Sequence, residues 1–259
     1  MKICRFLHNE KIKCGIIKEN FVFSFDNLKE LKPFIDISAS TGCFKKSEVK
    51  FLPPTTPSKI VCVGRNYAEH AAELGNDVPT EPLLFLKAPS AMISDGDEIF
   101  LPTQSNQVEH EGELAVVIGL DCKNLTDDQS PYDYILGYMC LNDVTARDLQ
   151  RRDVQFTRAK SFDTFCPVGA FIETDLDVSD VRVTTKVNGK IKQDGRTSQM
   201  VFSVPFLLKY ISGQMTLNAG DIIATGTPSG VSKLNDGDIC EVEIEGIGVL
   251  RNTVKRQIS

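Results

Sequence analysis

The segment His110-Glu111-Gly112-Glu113 runs directly into the apolar stretch LAVVIG. Residues two apart on a strand share a face, so Glu111 and Glu113 would stand side by side at the mouth of a buried strand. Two adjacent carboxylates repel, and one is driven to protonate unless a cation lies between them. Taken alone, E-x-E is also the pattern of a solvated strand end. A third acid, Asp143, closes another apolar run, ILGYMCLND. Three carboxylates with no cysteine partner suit a hard, oxygen-seeking ion: Mg²⁺ or Mn²⁺, with Ca²⁺ as a further fit and zinc disfavoured. The competing reading of Asp143 is an N-cap for a helix over residues 145–152.

A second group of reactive side chains lies in Gly64-Arg65-Asn66-Tyr67-Ala68-Glu69-His70-Ala71-Ala72-Glu73. On a helix, His70 and Glu73 are at i and i+3 and can touch. A carboxylate beside an imidazole orients the ring and raises its basicity, as a general base near neutral pH requires. An exposed helical His–Glu pair fits the same spacing. Lys160, in Ala159-Lys160-Ser161-Phe162, could stabilise an oxyanion or simply be solvated. Thr225-Gly226-Thr227-Pro228-Ser229-Gly230 offers backbone N–H groups and hydroxyls that can bind a carboxylate, or forms a plain turn. It lacks the Gly-Lys of a P-loop, so nucleotide binding is not indicated.

The elements that must position these groups are mostly strands. IVCVG, LLFLK, ELAVVIG, ILGYMCL, VRVTTKV, DIIATG and ICEVEIEGIGVL are apolar or β-branched runs bounded by turn signals. Asn188-Gly189 marks a hairpin, because both central positions of a type I′ turn need positive φ. Helices are expected at Tyr67–Leu74, at Thr145 to about Arg152, and from Ser203, with Pro205 in the first turn, to Ile211. The helix at residues 67–74 is short and glycine-flanked, and is expected to order over the site as a lid. Pro53-Pro54-Thr55-Thr56-Pro57 reads as a linker between a small N-terminal β unit, residues 1–52, and a main body, residues 53–259. The whole is an α+β chain, mainly β, without the strand–helix alternation of a doubly wound fold.

Composition narrows the function class. The chain has 259 residues, 41% hydrophobic and 25% charged, with a formal net charge of -6. It has no electrostatic reason to seek nucleic acid or an anionic membrane. No run is long and apolar enough to span a bilayer, and residues 1–13 show no h-region. The eight cysteines are scattered with no C-x-x-C pair, which argues against a zinc ribbon or a dithiol redox enzyme. Several lie inside apolar runs, and all read as small hydrophobes in a reducing cytoplasm.

Eight ordered segments together resemble the fumarylacetoacetate hydrolase (FAH) family. They are GRNYAEHAAELG, EPLLFLKAPSAM, HEGELAVVIG, NDVTARDLQ, AKSFDTFCP, VNGKIKQDG, MVFSVPFLLKYIS and GDIIATGTPSGV, covering roughly residues 59 to 254. The resemblance is strongest to the acylpyruvate hydrolase/oxaloacetate decarboxylase branch. The hydroxyhepta-dienedioate isomerase/decarboxylase branch shares nearly the same motifs. The resemblance implies a mixed β-roll with short helices and a homodimer. It implies metal ligation by Glu111, Glu113 and Asp143, a catalytic dyad of His70 and Glu73, and an oxyanion-stabilising Lys160. Arg65, Lys87, Gln150 and Thr227 match positions near the substrate. The implied reaction is C–C hydrolysis of acylpyruvates or decarboxylation of oxaloacetate, through a pyruvate enolate held on the metal. Dienedioate isomerisation is the alternative. A non-catalytic ligand-binding scaffold of the same fold is the rival from another class, and the presence of both His70 and Glu73 disfavours it.

Overall fold

The computed structural model describes residues 1–25 and 40–257, so part of the 1–52 segment, residues 26–39, lies outside it. Its strands in chain order are β1 (Lys2–His8), β2 (Lys11–Lys18), β3 (Phe21–Phe25), β4 (Gly42–Lys45), β5 (Lys50–Leu52), β6 (Ile60–Gly64) and β7 (Leu83–Lys87). They continue as β8 (Met92–Ile93), β9 (Glu98–Leu101), β10 (Val108–Glu109), β11 (Gly112–Ile118), β12 (Ile135–Asn142), β13 (Thr145–Ala146), β14 (Cys166–Pro167) and β15 (Phe171–Glu173). The last are β16 (Arg182–Val187), β17 (Lys190–Arg196), β18 (Ile222–Ala224), β19 (Ile239–Ile244) and β20 (Gly248–Arg256). The helices are α1 (Ala68–Glu73), α2 (Arg147–Arg152), α3 (Thr157–Lys160) and α4 (Val204–Gln214). Strands dominate, and the fold class is α+β, mainly β.

The large sheet has the order β4-β3-β2-β1-β15-β12-β11-β18-β6-β7, with β5 on β1. β18 pairs parallel with β6 and antiparallel with β11, so the sheet is mixed. β1 pairs with β15, which carries the N-terminal strands into the same sheet. A second sheet, β17-β16-β19-β20-β9, faces it.

The register of β11 sets the site. Every residue of β11 is buried, and successive side chains point to opposite faces. Leu114, Val116 and Ile118 pack with Val183, Val242, Ile244 and Leu250 of the second sheet and with Leu207, Leu208 and Ile211 of α4. Ala115 and Val117 pack on the other side with Ile60, Cys62, Met139, Leu141, Ile222 and Ala224. Burying Val-, Leu- or Ile-sized side chains contributes about 1.5–3 kcal/mol each, so this strand is held firmly from both faces. The acids that precede it inherit that rigidity.

Several expected elements shift. The run Ile239–Leu250 is two strands rather than one, β19 and β20 joined at 245–247, where Gly246 has φ +80°. The helix expected from Thr145 starts at Arg147, because Thr145 and Ala146 pair with β10. α4 continues beyond Ile211 to Gln214, and α3 had no sequence signal. Asn188 and Gly189 both take positive φ, 52° and 75°, between β16 and β17. All eight cysteines are free. Six are buried, Cys14 is half-buried and Cys43 is exposed. Among the described residues, no helix is long and apolar enough to cross a membrane.

Candidate active site

Glu111, Glu113 and Asp143 are all buried, and each offers a carboxylate oxygen within 4.8 Å of the others. Two strand ends meet here. Glu111 and Glu113 flank the first residue of β11, and Asp143 directly follows β12. The pair is locked in register by Asp143 N–H donating to Glu111 O at 2.8 Å. Asp143 is therefore not the cap of the following helix, whose N-cap is Ala146.

Three cations surround the acids. Lys160 Nζ donates to Glu111 Oε2 (2.8 Å) and to Asp143 Oδ2 (2.7 Å). Lys87 Nζ donates to Asp143 Oδ1 (2.7 Å), to Val144 O (3.1 Å) and to Lys160 O. Arg147 ion-pairs with Glu111, and its Nε donates to Glu109 Oε2 at 2.7 Å. Four buried carboxylates, Glu109 included, face three buried cations, which leaves one negative charge uncompensated. Burial alone would raise the Glu111 carboxyl, but Lys160 and Arg147 outweigh it and hold the group well below the usual range. Glu113 has no such partner. Burial, then Asp143 and Glu111, push its carboxyl well above the usual range. Its only hydrogen-bond donor among the described residues is Gly226 N–H, at 2.8 Å to Oε2. An all-oxygen donor set that repels itself in this way fits a hard divalent cation.

A cleft of about 180 Å³ opens over these acids. Arg65, His70, Gln150, Lys160 and Thr227 line it together with the three carboxylates. His70, on α1, is 5% exposed, and its Nδ1 lies 3.3 Å from Glu73 Oε2. An ionised Glu73 can only accept, so in the neutral ring the proton sits on Nδ1 and the lone pair on Nε2. Gly230 N–H also donates to Glu73, at 3.0 and 3.1 Å. That bond fastens α1 to the loop after β18. Arg65 directly follows β6 with φ +58°, a left-handed backbone that a non-glycine residue seldom adopts.

Lys87 stands behind Asp143 rather than on the cleft wall. It is 1% exposed, with three protein acceptors for its three donors. It fixes Asp143 and the Lys160 backbone. Gln150 accepts from Arg147 Nη1 at 2.5 Å. Arg147 itself carries no mark in the sequence: it is one of three arginines in ARDLQRR, and only the fold buries it. Asn66 is a second such residue. Its side chain donates to Thr225 O (2.7 Å) and Phe202 O (3.0 Å) and accepts from Phe202 N–H (2.7 Å). It ties the turn before α1 to the end of β18.

Known proteins are similar to this chain over most of its length. The family model described as fumarylacetoacetate (FAA) hydrolase C-terminal matches residues 59–255. The chain is 40% identical over 258 residues to the oxaloacetate tautomerase YisK of Bacillus subtilis, covering 94% of this chain and 85% of that protein. It is 45% identical over 199 residues to the mitochondrial oxaloacetate decarboxylase of Dictyostelium discoideum, covering 74% and 91%. The crystal structure of a 5-carboxymethyl-2-hydroxymuconate delta-isomerase from Mycobacterium smegmatis superposes with a TM-score of 0.89 at 40% identity, covering all of both chains.

Proposed function

The chain belongs to the fumarylacetoacetate hydrolase family, and from that premise we propose that it converts a small 2-oxo acid by way of its enolate, with oxaloacetate as the first candidate. The observation that carries this reading is the set of three mutually repelling buried carboxylates in one cleft with a His–Glu pair. Glu111, Glu113 and Asp143 would hold Mg²⁺ or Mn²⁺, with Ca²⁺ as a further fit. The ion would supply Lewis acidity at the 2-oxo oxygen, where negative charge develops.

The protein's own groups do the rest. With the ring neutral, His70 Nε2 takes a proton from C3 of oxaloacetate and passes it to the 2-oxo oxygen, giving the enol, and the reverse transfer restores the keto form. Loss of CO₂ leaves the electron pair of the broken C–C bond in a pyruvate enolate, which a proton then quenches. With an acylpyruvate, His70 would take a proton from water as it attacks the distal carbonyl, releasing a carboxylic acid and pyruvate. Lys160 uses two of its three N–H donors on Glu111 and Asp143. The third can meet an oxyanion. Glu73 orients His70, and Arg65 and Gln150 line the remaining wall.

Oxaloacetate chemistry is placed first because both curated relatives above carry oxaloacetate in their names. Acylpyruvate hydrolysis and dienedioate isomerisation use the same groups and rank behind it. The test is a panel of oxaloacetate, short acylpyruvates and a 2-hydroxyhepta-dienedioate, each with Mg²⁺ or Mn²⁺ and with chelator. Turnover of oxaloacetate that chelator removes and metal restores supports the proposal. No turnover of any 2-oxo acid with either metal contradicts it. We further propose a homodimer, on the family resemblance, which sedimentation velocity would report as twice the 28.7 kDa chain.

A further inference from the structure

Gly112 lies between the two glutamates, and three side chains from outside its strand enclose it. Its N–H donates to Gln193 Oε1 at 2.9 Å. Its carbonyl accepts from Thr227 Oγ1 at 2.8 Å. Gln193 Nε2 closes the ring by donating to Thr227 Oγ1 at 2.7 Å. The third side chain is Thr185 of β16. A Cβ on Gly112 would lie 2.1 Å from Thr185 Oγ1, so only glycine lets the second sheet approach this closely.

Gln193 is fully buried on β17, an otherwise largely exposed strand of the second sheet. Its second N–H donates to Pro228 O at 2.7 Å. A carbonyl can only accept, which fixes the amide orientation. Oε1 then faces both Gly112 N–H and His110 Nδ1, the latter at 3.1 Å. His110 must therefore carry its proton on Nδ1, and Nε2 accepts from Ser232 Oγ at 2.8 Å. All four hydrogen-bonding positions of the amide are used, and none points to solvent. The residues it joins are the backbone between Glu111 and Glu113 and the loop whose Gly226 N–H holds Glu113.

We propose that Gln193 is a positioning residue for the cation site. It fixes the spacing of Glu111 and Glu113 from the opposite sheet, and so sets the preference of the site for a small ion. The inference rests on the reading of Glu111, Glu113 and Asp143 as cation ligands. Mg²⁺ demands near-ideal octahedral geometry at about 2.0–2.1 Å, whereas Ca²⁺ accepts longer, irregular contacts at about 2.3–2.6 Å. A site whose carboxylates are held rigidly can discriminate against Ca²⁺, and one whose carboxylates drift cannot. The closed ring also commits the Thr227 hydroxyl hydrogen to Gly112 O. Thr227 can thus offer a substrate carboxylate its backbone N–H but not its O–H.

The test is calorimetric titration of Mg²⁺ and Ca²⁺ into the chelator-stripped full chain and into Gln193→Met and Gln193→Asn. Methionine keeps the volume and removes all four hydrogen bonds. Asparagine keeps the amide but is one methylene too short to complete the ring, and serves if the first variant does not fold. Outer partners of metal ligands are worth about 10–100-fold in affinity. Mg²⁺ affinity should fall by that amount and Ca²⁺ affinity by clearly less, so that the ratio moves toward Ca²⁺. A lowered melting temperature with the wild-type Mg²⁺/Ca²⁺ ratio would overturn the proposal and leave Gln193 a packing residue. If the wild type itself binds neither ion, the site reading fails, and the inference with it.

Discussion

The short strand β18 has a buried carboxylate at each end, and the two are treated in opposite ways. At its start, Asp221 Oδ1 accepts from Ser58 N–H (2.8 Å), Ser58 Oγ (2.7 Å) and Lys59 N–H (3.1 Å). Its Oδ2 accepts from Asn218 N–H (2.8 Å) and pairs with Lys59 Nζ. Burial would raise the Asp221 carboxyl, but Lys59 and these N–H donors outweigh it and hold the group below its usual range. At the far end, Glu113 receives one backbone N–H and faces two other acids. The first carboxylate is satisfied by the protein and clamps Ser58 and Lys59 to the sheet. The second is left unsatisfied at the wall of a cleft. Equal burial with opposite satisfaction separates a structural acid from one kept for a ligand.

The sharpest break of that comparison is substitution at the ligand end. Asp143→Ala and Glu113→Ala should each lower divalent-ion affinity by more than about 100-fold, since each removes a proposed direct ligand rather than an outer partner. Circular dichroism of Glu113→Ala should remain native, because Glu113 pairs with no cation. Asp143→Ala leaves Lys87 without a buried carboxylate partner and Lys160 with Glu111 alone, and should also cost about 3–5 kcal/mol in stability. Both oxaloacetate and acylpyruvate turnover should fall together. Normal ion affinity in either variant would remove these residues from the ligand set.

Next in size is His70→Ala. General-base assistance is worth about 10²–10⁴-fold. Hydrolysis of an acylpyruvate needs an activated water, and tautomerisation needs a proton acceptor at carbon, so both should fall by that order. Decarboxylation of oxaloacetate needs neither and should fall much less. Paired assays at saturating Mn²⁺ check this. Parallel losses in all three reactions would move His70 to a shared step.

Smaller still is the structural end. Asp221→Asn removes the charge from Lys59 but keeps a hydrogen-bond acceptor, and should cost about 2–3 kcal/mol in urea unfolding. Turnover per folded molecule should not change. Glu113→Gln, the matching change at the other end, should cost the metal-free protein nothing in stability, because it relieves repulsion. If both variants destabilise equally, the contrast between the two ends is wrong.

The smallest expected effect is in pH. The folded-state pKa of Asp221 is depressed, so its contribution is fully present above the unfolded value of about 3.9. That contribution is lost as pH falls through the folded value. The stability gap between wild type and Asp221→Asn should hold at neutral pH and close below about pH 4. A gap that persists in acid would assign it to shape, not charge.

What the sequence disclosed follows the same division. Apolar runs named β6, β11 and β12 because burial on both faces demands continuous hydrophobicity. The three acids were visible because they stand at the ends of those runs. The hairpin inside Ile239–Leu250 was hidden, because Glu245 in the turn continues the alternation of Glu241 and Glu243. Arg147 and Gln193 were hidden for a different reason. Each is a polar residue in a polar segment, buried only by elements far away in the chain. Gln193 lies 81 residues from the glycine it holds.

The most direct test of the central claim is calorimetric titration of oxalate, which carries the two adjacent oxygen donors of a 2-oxo acid, into the full chain. The account predicts binding with Mg²⁺ present and a loss of at least about 100-fold in affinity after chelation, since without the ion nothing offers a Lewis acid to the two oxygens. Equal oxalate affinity with and without the metal would contradict it.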